Sequence, residues 1–500
     1  MAGYIKSIAQ LHVEAGRGVL RRTLGPVHLT ALGVGSIIGT GIFVLTGTAA
    51  ARHAGPALVL SMIIAAVACA LAGLCYAELA AMIPVAGSAY TYAYATVGEV
   101  MAWIIGWDLM LEYALSASTV AVGWSGYFVS LMRDLGWHLS PALTAPLGAA
   151  VPLAGGATAT GVFNLPAALI VLAVSALLVV GIKESASANA ALVIVKIAVL
   201  IVFVAAGAAY VSRDNLTPFL PPNSGTFGEF GWSGVMRGAG VIFFAFIGFD
   251  AVSTAAQEAR QPQRDMPIGI LASLVICTIL YIAVAIVLTG IVRFDRLDVA
   301  DPLAVGIDAT GMRWLSPFIK VSALFGLFST MMVQLIGQTR IFYAMSRDGL
   351  LPPLFSRVHP TFRTPHVSTA LVGGAIAIAA GLLPLQLLGQ LVSMGTQLAF
   401  VLACIGILVL RRRAPEVPRP FRTPGMPWVP IAGALACFVQ MVSLPWATWI
   451  RLFTWLALGM VVYWAYGRRQ AQRQRAAMAG AAPARYADPG RTGDAPPPHG

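Results

Sequence analysis

A chain of 500 residues with 58% hydrophobic side chains, only 10% charged ones and a mean hydropathy of +0.80 is too apolar for a soluble domain of this length. The formal charge of +12 would suit nucleic acid, but Lys and Arg concentrate in alternate connections between apolar stretches, the positive-inside pattern of a membrane protein. The five cysteines lie in apolar stretches and the seven histidines at their ends, in loops or in tails, so no metal site is predicted.

Apolar stretches of about 20 residues predict an all-α polytopic protein with about twelve transmembrane helices and both termini cytoplasmic. Residues 1–27 read as a cytoplasmic arm. Arg17, Arg21 and Arg22 run straight into a full-length span, so no cleaved signal peptide is expected. The first span, Leu29–Ala51, contains Gly35, Gly39 and Gly41, which let the chain unwind. A half-helix beginning near Thr40 would aim N–H groups and the positive end of its dipole at a cavity, an arrangement that suits a carboxylate. The competing reading is a close helix-packing face made by Gly35 and Gly39. Gly41 has no part in such a face.

The second span, Ala57–Met82, carries Glu78 near its cytoplasmic end, where it reads as a gate or loop contact. Asp108 and Glu112 share one face of the third span, Val100–Leu131, too deep to be surface charges. They are candidates for proton transfer or for satisfying the backbone of a broken helix. After the fourth span, Val162–Ile182, the fifth, Ala191–Val211, places Lys196 about 10 Å inside its cytoplasmic end at ~1.5 Å per residue. A charge is costly there, which makes this amine a candidate proton carrier; snorkelling to the surface is the alternative.

The sixth span, Trp232–Ala256, holds Phe244, Ala245, Phe246, Ile247, Gly248 and Asp250 about midway. Unwinding at Gly248 would expose carbonyls that, with a nearby carboxylate, suit an ammonium group. The remaining spans are Pro267–Val292, Leu315–Met345, Val367–Leu383, Leu387–Leu410, Trp428–Leu444 and Trp449–Tyr466. Arg340 in the eighth reads as a gate or loop contact, and Arg237 in the sixth as a snorkelling residue. The tail from Arg468, rich in Ala, Pro, Gly and Arg, reads as disordered.

Five is odd, so spans one to five and six to ten form two repeats of opposite topology. The predicted organisation is 28–211 for the first repeat, 212–410 for the second, 411–467 for two additional helices and 468–500 for the tail. Breaks at matching positions of two repeats point to a substrate site between them. Together the two breaks specify a zwitterion, one pole for each.

The stretches Gly33–Phe43, Tyr76-Ala77-Glu78-Leu79, Phe246-Ile247-Gly248-Phe249-Asp250 and Gly337-Gln338-Thr339-Arg340 resemble bacterial members of the cationic amino acid transporter family. That family belongs to the amino acid, polyamine and organocation superfamily. The resemblance implies a five-plus-five inverted-repeat (LeuT-type) fold and proton-coupled uptake, with the proton as coupling ion and no other cofactor. It places the substrate carboxylate on amides of Ile37, Thr40 and Gly41, and the amine on carbonyls of Phe244, Ala245 and Ile247. The Phe244 ring is then the candidate gate, Lys196 stands where sodium-coupled relatives bind sodium, and Asp250, Glu112 and Asp108 are candidate site carboxylates. Met331, Met332 and Gln334 are candidates for the side-chain pocket.

The sequence is thus read as a bacterial inner-membrane importer of amino acids, proton-coupled, for a small neutral substrate such as alanine. An amino acid exchanger, cationic amino acid uptake and a non-transporting sensor are the rivals. No cluster of nucleophile, base and orienting residue supports an enzyme. Besides substrate and lipid, a small membrane subunit is left open as a partner.

Overall fold

The computed structural model describes residues 24–83, 88–152, 158–181, 186–254, 258–312 and 314–480. Most of the expected N-terminal arm and the tail beyond Gly480 lie outside the described residues. The described residues are mostly helical, with one short antiparallel pair among them, Ala150–Pro152 against Thr158–Thr160.

Each expected span has a helical counterpart. The first span splits into α1 (Pro26–Ile37) and a helical segment from Gly41 to Ala54, in which wide π turns at Gly41–Leu45 and Ala50–Ala54 flank Thr46–Ala49. Pro26 opens α1 at a position where its missing N–H costs nothing. The following helices are α2 (Leu58–Met82), α3 (Ser88–Thr96), α4 (Glu99–Asp134), α5 (Leu165–Val180) and α6 (Ala186–Gly207). Helix α5 begins where Asn164 Oδ1 accepts from Ala167 N at 3.2 Å and ends at Gly181, whose φ of +81° stops the coil.

The sixth span likewise splits. Helix α7 (Gly231–Ile242) tightens into a 3-10 turn at Phe243–Phe246, and the chain restarts as α8 (Phe249–Thr254). Then come α9 (Pro262–Ile291), the short α10 (Pro302–Ala309), α11 (Leu315–Arg347), α12 (His366–Leu382), α13 (Leu385–Arg413), α14 (Trp428–Ser443) and α15 (Trp446–Val462). The chain continues through a π turn into α16 (Arg468–Gly480), so the expectation of disorder from Arg468 onward gives way at its start. Ala, Gln and Arg dominate this stretch, and all three are strong helix formers.

Among the described residues seven helical stretches are long and apolar enough to cross a membrane, and Leu165–Val180, His366–Leu382 and Trp428–Ser443 are shorter apolar helices. Large apolar side chains face outward, among them Ile194 (66% exposed), Ile279 (64%) and Val461 (64%), as a lipid-facing surface requires. Inside, α4 packs on α11 and α13, and α9 on α1 and α2. Between α2 and α13 an aromatic cluster backs the sixth-span break. Tyr76 lies edge-on to Phe249 and Phe400, at centroid separations of 5.8 Å and 5.2 Å, and Phe243 lies 5.5 Å from Phe400.

Candidate functional site

A helix interrupted within the hydrocarbon layer must find new partners for its backbone, because an unmet N–H or C=O there costs several kcal/mol, on the order of 2–7. At the first break the partners are side chains from other helices. Lys196 of α6 donates to Gly35 O at 2.7 Å, and Tyr281 of α9 donates to Ile37 O at 2.8 Å. Thr330 of α11 holds its hydroxyl 3.2 Å from Ile38 O and 3.0 Å from Gly326 O, and Tyr127 of α4 donates to Phe43 O at 2.7 Å. The unwound residue itself, Ile38, is extended (φ −71°, ψ +96°).

At the second break Gly248 takes φ +127°, a conformation that side-chain-bearing residues rarely adopt. It also lies against the first break: a Cβ there would stand 2.7 Å from the Ser36 carbonyl carbon and 2.9 Å from Ile37 N. Gly41 in turn packs directly on Ala245. The two breaks therefore touch, backbone to backbone. Around their meeting point lies a small space, lined by residues that include Ile37, Thr40 and Gly41 from the first span, Phe244 and Ile247 from the sixth, and Gln334 from α11.

The sequence candidates thus divide. Ile37, Thr40, Gly41, Phe244, Ile247 and Gln334 meet at one space. Ala245 backs it through Gly41, while Met331 and Met332 are buried but do not line it. Of the sixth-span phenylalanines, Phe243, Phe246 and Phe249 pack into aromatic contacts, Phe246 at 5.4 Å from the Tyr281 ring, and Phe244 faces the space.

Lys196 is 1% exposed and, besides Gly35 O, donates to Thr330 Oγ1 at 2.9 Å. Its aliphatic stem passes over Gly326, where a Cβ would stand 3.3 Å from Lys196 Cγ. The amine thus ties α1 to α11 just where α1 ends. None of the three acids lines the space: Asp108, Glu112 and Asp250 are 1%, 3% and 3% exposed, and Asp250 Oδ2 accepts from Tyr113 OH at 3.3 Å. Both carboxyl oxygens of Asp108 and Oε2 of Glu112 have no hydrogen-bond partner among the described residues. Ser116, one turn beyond Glu112 on the same face of α4, lines the space.

Away from the site, Glu78 is fully buried and accepts from Arg411 at 3.0 Å and 2.6 Å and from Thr423 N at 2.7 Å, which fixes the C-terminal end of α2 to that of α13. Arg340 is exposed. Arg237 donates to Ser443 O at 2.9 Å and stands over the Phe227 ring. Lys320, in α11, is fully buried beside Asp134 at 2.5 Å and Asp308 at 3.4 Å.

Sequence reasoning missed Thr330, Tyr281 and Tyr127, the hydroxyls that satisfy the first break, and the lining serines Ser36 and Ser116. Thr330 had one local signal, since it directly precedes the methionines singled out in the same span. Tyr281 had none: its bond to Ile37 spans 244 residues of sequence.

The amino acid permease family profile matches residues 24–465. The chain is 47% identical over 469 residues to the branched-chain amino acid permease BcaP of Bacillus subtilis, covering 93% of this chain and 98% of that protein. It is 46% identical over 464 residues to the methylthioribose transporter of the same organism, covering 93% and 97%. With the vacuolar cationic amino acid transporter 4 of Arabidopsis thaliana it shares 37% identity, over 82% of this chain and 67% of that one. A profile spanning both broken helices and the helices that satisfy them, with bacterial relatives matched nearly end to end, places the chain in the amino acid permease family of the amino acid, polyamine and organocation superfamily: it is a multi-pass membrane transporter, not an enzyme.

Proposed function

We propose that the protein is a proton-coupled importer of neutral aliphatic amino acids, alanine and its branched-chain homologues, working by alternating access. The observation that carries this reading is the contact between the two helix breaks, Gly248 on Ser36 and Ile37 and Gly41 on Ala245, around one small space. A zwitterion between them meets N–H groups of Ile37, Thr40 and Gly41 at its carboxylate, and carbonyls near Phe244 and Ile247 at its ammonium. The fold in this reading has twelve spans in a five-plus-five inverted repeat, 28–211 and 212–410, with 411–467 added, both termini cytoplasmic and the bacterial inner membrane as location.

Lys196 carries the coupling proton. Charged, it pins Gly35 and Thr330; neutral, it loses much of that hold, and the first span is released to move. Entry of one proton at 100 mV supplies about 2.3 kcal/mol, enough for roughly fiftyfold accumulation of a neutral solute.

A second reading has a specific observation behind it. The hydroxyls of Ser36, Thr40 and Ser116 are buried, without partners among the described residues, and line the same space, as a site for a polyhydroxyl solute would need; one close relative is a methylthioribose transporter. Uptake into liposomes separates the readings. Alanine, valine, leucine, arginine and methylthioribose are each supplied with and without an inward proton gradient, and with internal substrate omitted. Gradient-stimulated uptake of the aliphatic amino acids is expected. Uptake only when internal amino acid is present assigns exchange instead, and methylthioribose alone assigns the sugar.

A further inference from the structure

A second cavity lies apart from the one between the helix breaks. It lies between α3, the cytoplasmic end of α4 and α13, walled by Ala93 and Thr96 of α3, Met101 and Ile105 of α4, and Gly406 and Val409 of α13. Nearly all of this wall is apolar. Thr96 spends its hydroxyl on Tyr92 O at 2.8 Å within its own helix. Ile405, on the α13 wall and 42% exposed, puts the mouth on the lipid-facing side.

The lining residues Leu402, Gly406 and Val409 follow one another at helical spacing. Arg412 and Arg413 continue that face, about 4.5–6 Å further along the axis at 1.5 Å per residue. Both are exposed, and among the described residues neither pairs with a carboxylate. Their neighbour Arg411 turns the other way and is engaged by Glu78. An apolar slot open to lipid, with two uncommitted guanidinium groups one turn beyond its cytoplasmic end, matches a molecule with a long hydrocarbon tail and an anionic head.

We propose that this slot is a binding site for an anionic phospholipid, one acyl chain lying between α3 and α13 and the phosphate meeting Arg412 and Arg413. The site bears on transport because α3 is a plate held at its far side. Tyr90 donates to Asp348 Oδ2 at 2.6 Å, and Tyr94 donates to Glu99 Oε2 at 3.3 Å. A chain seated in the slot fills the space behind that plate and steadies it against α13.

The test is a titration of the purified full chain with phosphatidylglycerol and with phosphatidylcholine of the same acyl chains, counting bound lipid by native mass spectrometry. One phosphatidylglycerol per chain is expected, held at least tenfold more tightly than phosphatidylcholine. The double variant Arg412→Gln, Arg413→Gln brings the two lipids to equal affinity. Gly406→Leu, whose Cβ stands 3.3 Å from Thr96 Oγ1 and whose side chain enters the slot, weakens both at least tenfold. Equal affinity in the unaltered protein, or a double arginine variant that keeps the preference, overturns the headgroup assignment. Undiminished binding by Gly406→Leu overturns the slot. The arginine pair is on the surface and disturbs no packed contact, so its outcome decides the proposal even where Gly406→Leu fails to fold.

Discussion

Replacing Gly248 with alanine tests whether the two breaks must touch. Two penalties act at that position. A residue with a Cβ held at φ +127° is strained by about 1–3 kcal/mol, and the added methyl meets Ser36 backbone atoms at 2.7 Å and 2.8 Å, an overlap that costs another ~1–3 kcal/mol if the backbones move apart to relieve it. The movement falls on the N–H groups assigned to the substrate carboxylate. Even the low end, about 2 kcal/mol, is a factor of about 30 in an equilibrium constant. Gly248→Ala is therefore expected to lower amino acid uptake into liposomes at least thirtyfold at equal reconstituted protein, and to abolish substrate-induced thermal stabilisation. Gly374→Ala is the control, since its Cβ meets nothing within 4 Å and the substitution favours a helix. Wild-type uptake by Gly248→Ala would refute the claim that the breaks form the site, as would an equal loss in Gly374→Ala.

Lys196→Ala should abolish accumulation driven by an inward proton gradient; gradient-driven uptake at the wild-type level removes the amine from the coupling step. Thr330→Val keeps shape but strips the hydroxyl that receives Lys196 and covers Ile38 O, and should weaken substrate binding about tenfold, at ~1–3 kcal/mol for a buried group left unpaired, read by calorimetry. Glu78→Ala leaves Arg411 and Arg419 facing a buried space without their carboxylate and should lower the thermal midpoint clearly more than Asp295→Ala, whose ion pair with Arg293 is exposed. Asp301, in the connection before α10, has its carboxyl pushed above the usual range by burial. Its folded form holds the proton more tightly than the unfolded one, so it subtracts stability as pH rises above the ordinary carboxylate range. Asp301→Asn should raise the melting temperature at pH 7 and lose that advantage as pH falls toward 4; an unchanged difference across that range refutes the assignment.

Both breaks were legible in the sequence because they depend on local composition: glycine at 35, 39 and 41, and Gly248 between aromatic residues, announce themselves without any partner. Lys196 and the α4 acids were legible for a related reason, since a charge within an apolar run is conspicuous whatever it touches. The partners that make the breaks tolerable were not. Thr330, Tyr281 and Tyr127 look like ordinary residues of apolar helices, and their importance arises only from which carbonyl the fold brings within reach. Helix α16 was hidden differently: composition suggested disorder, while the helix-forming strength of Ala, Gln and Arg and a docking surface beneath it acted the other way. Its Gln474 donates to Arg347 O at 2.6 Å.

That docked helix has a practical corollary for anyone trimming the protein. Arg475 reaches Glu99 at 2.6 Å, and Glu99, 3% exposed at the start of α4, otherwise receives only phenol hydroxyls among the described residues, from Tyr463 at 2.9 Å and Tyr94 at 3.3 Å. A shortened version ending soon after the last apolar span would discard the counter-ion and strand an anion at the start of α4. Affinity handles and fluorescent fusions belong after Gly480, and a cut made earlier is itself a mutation of Glu99.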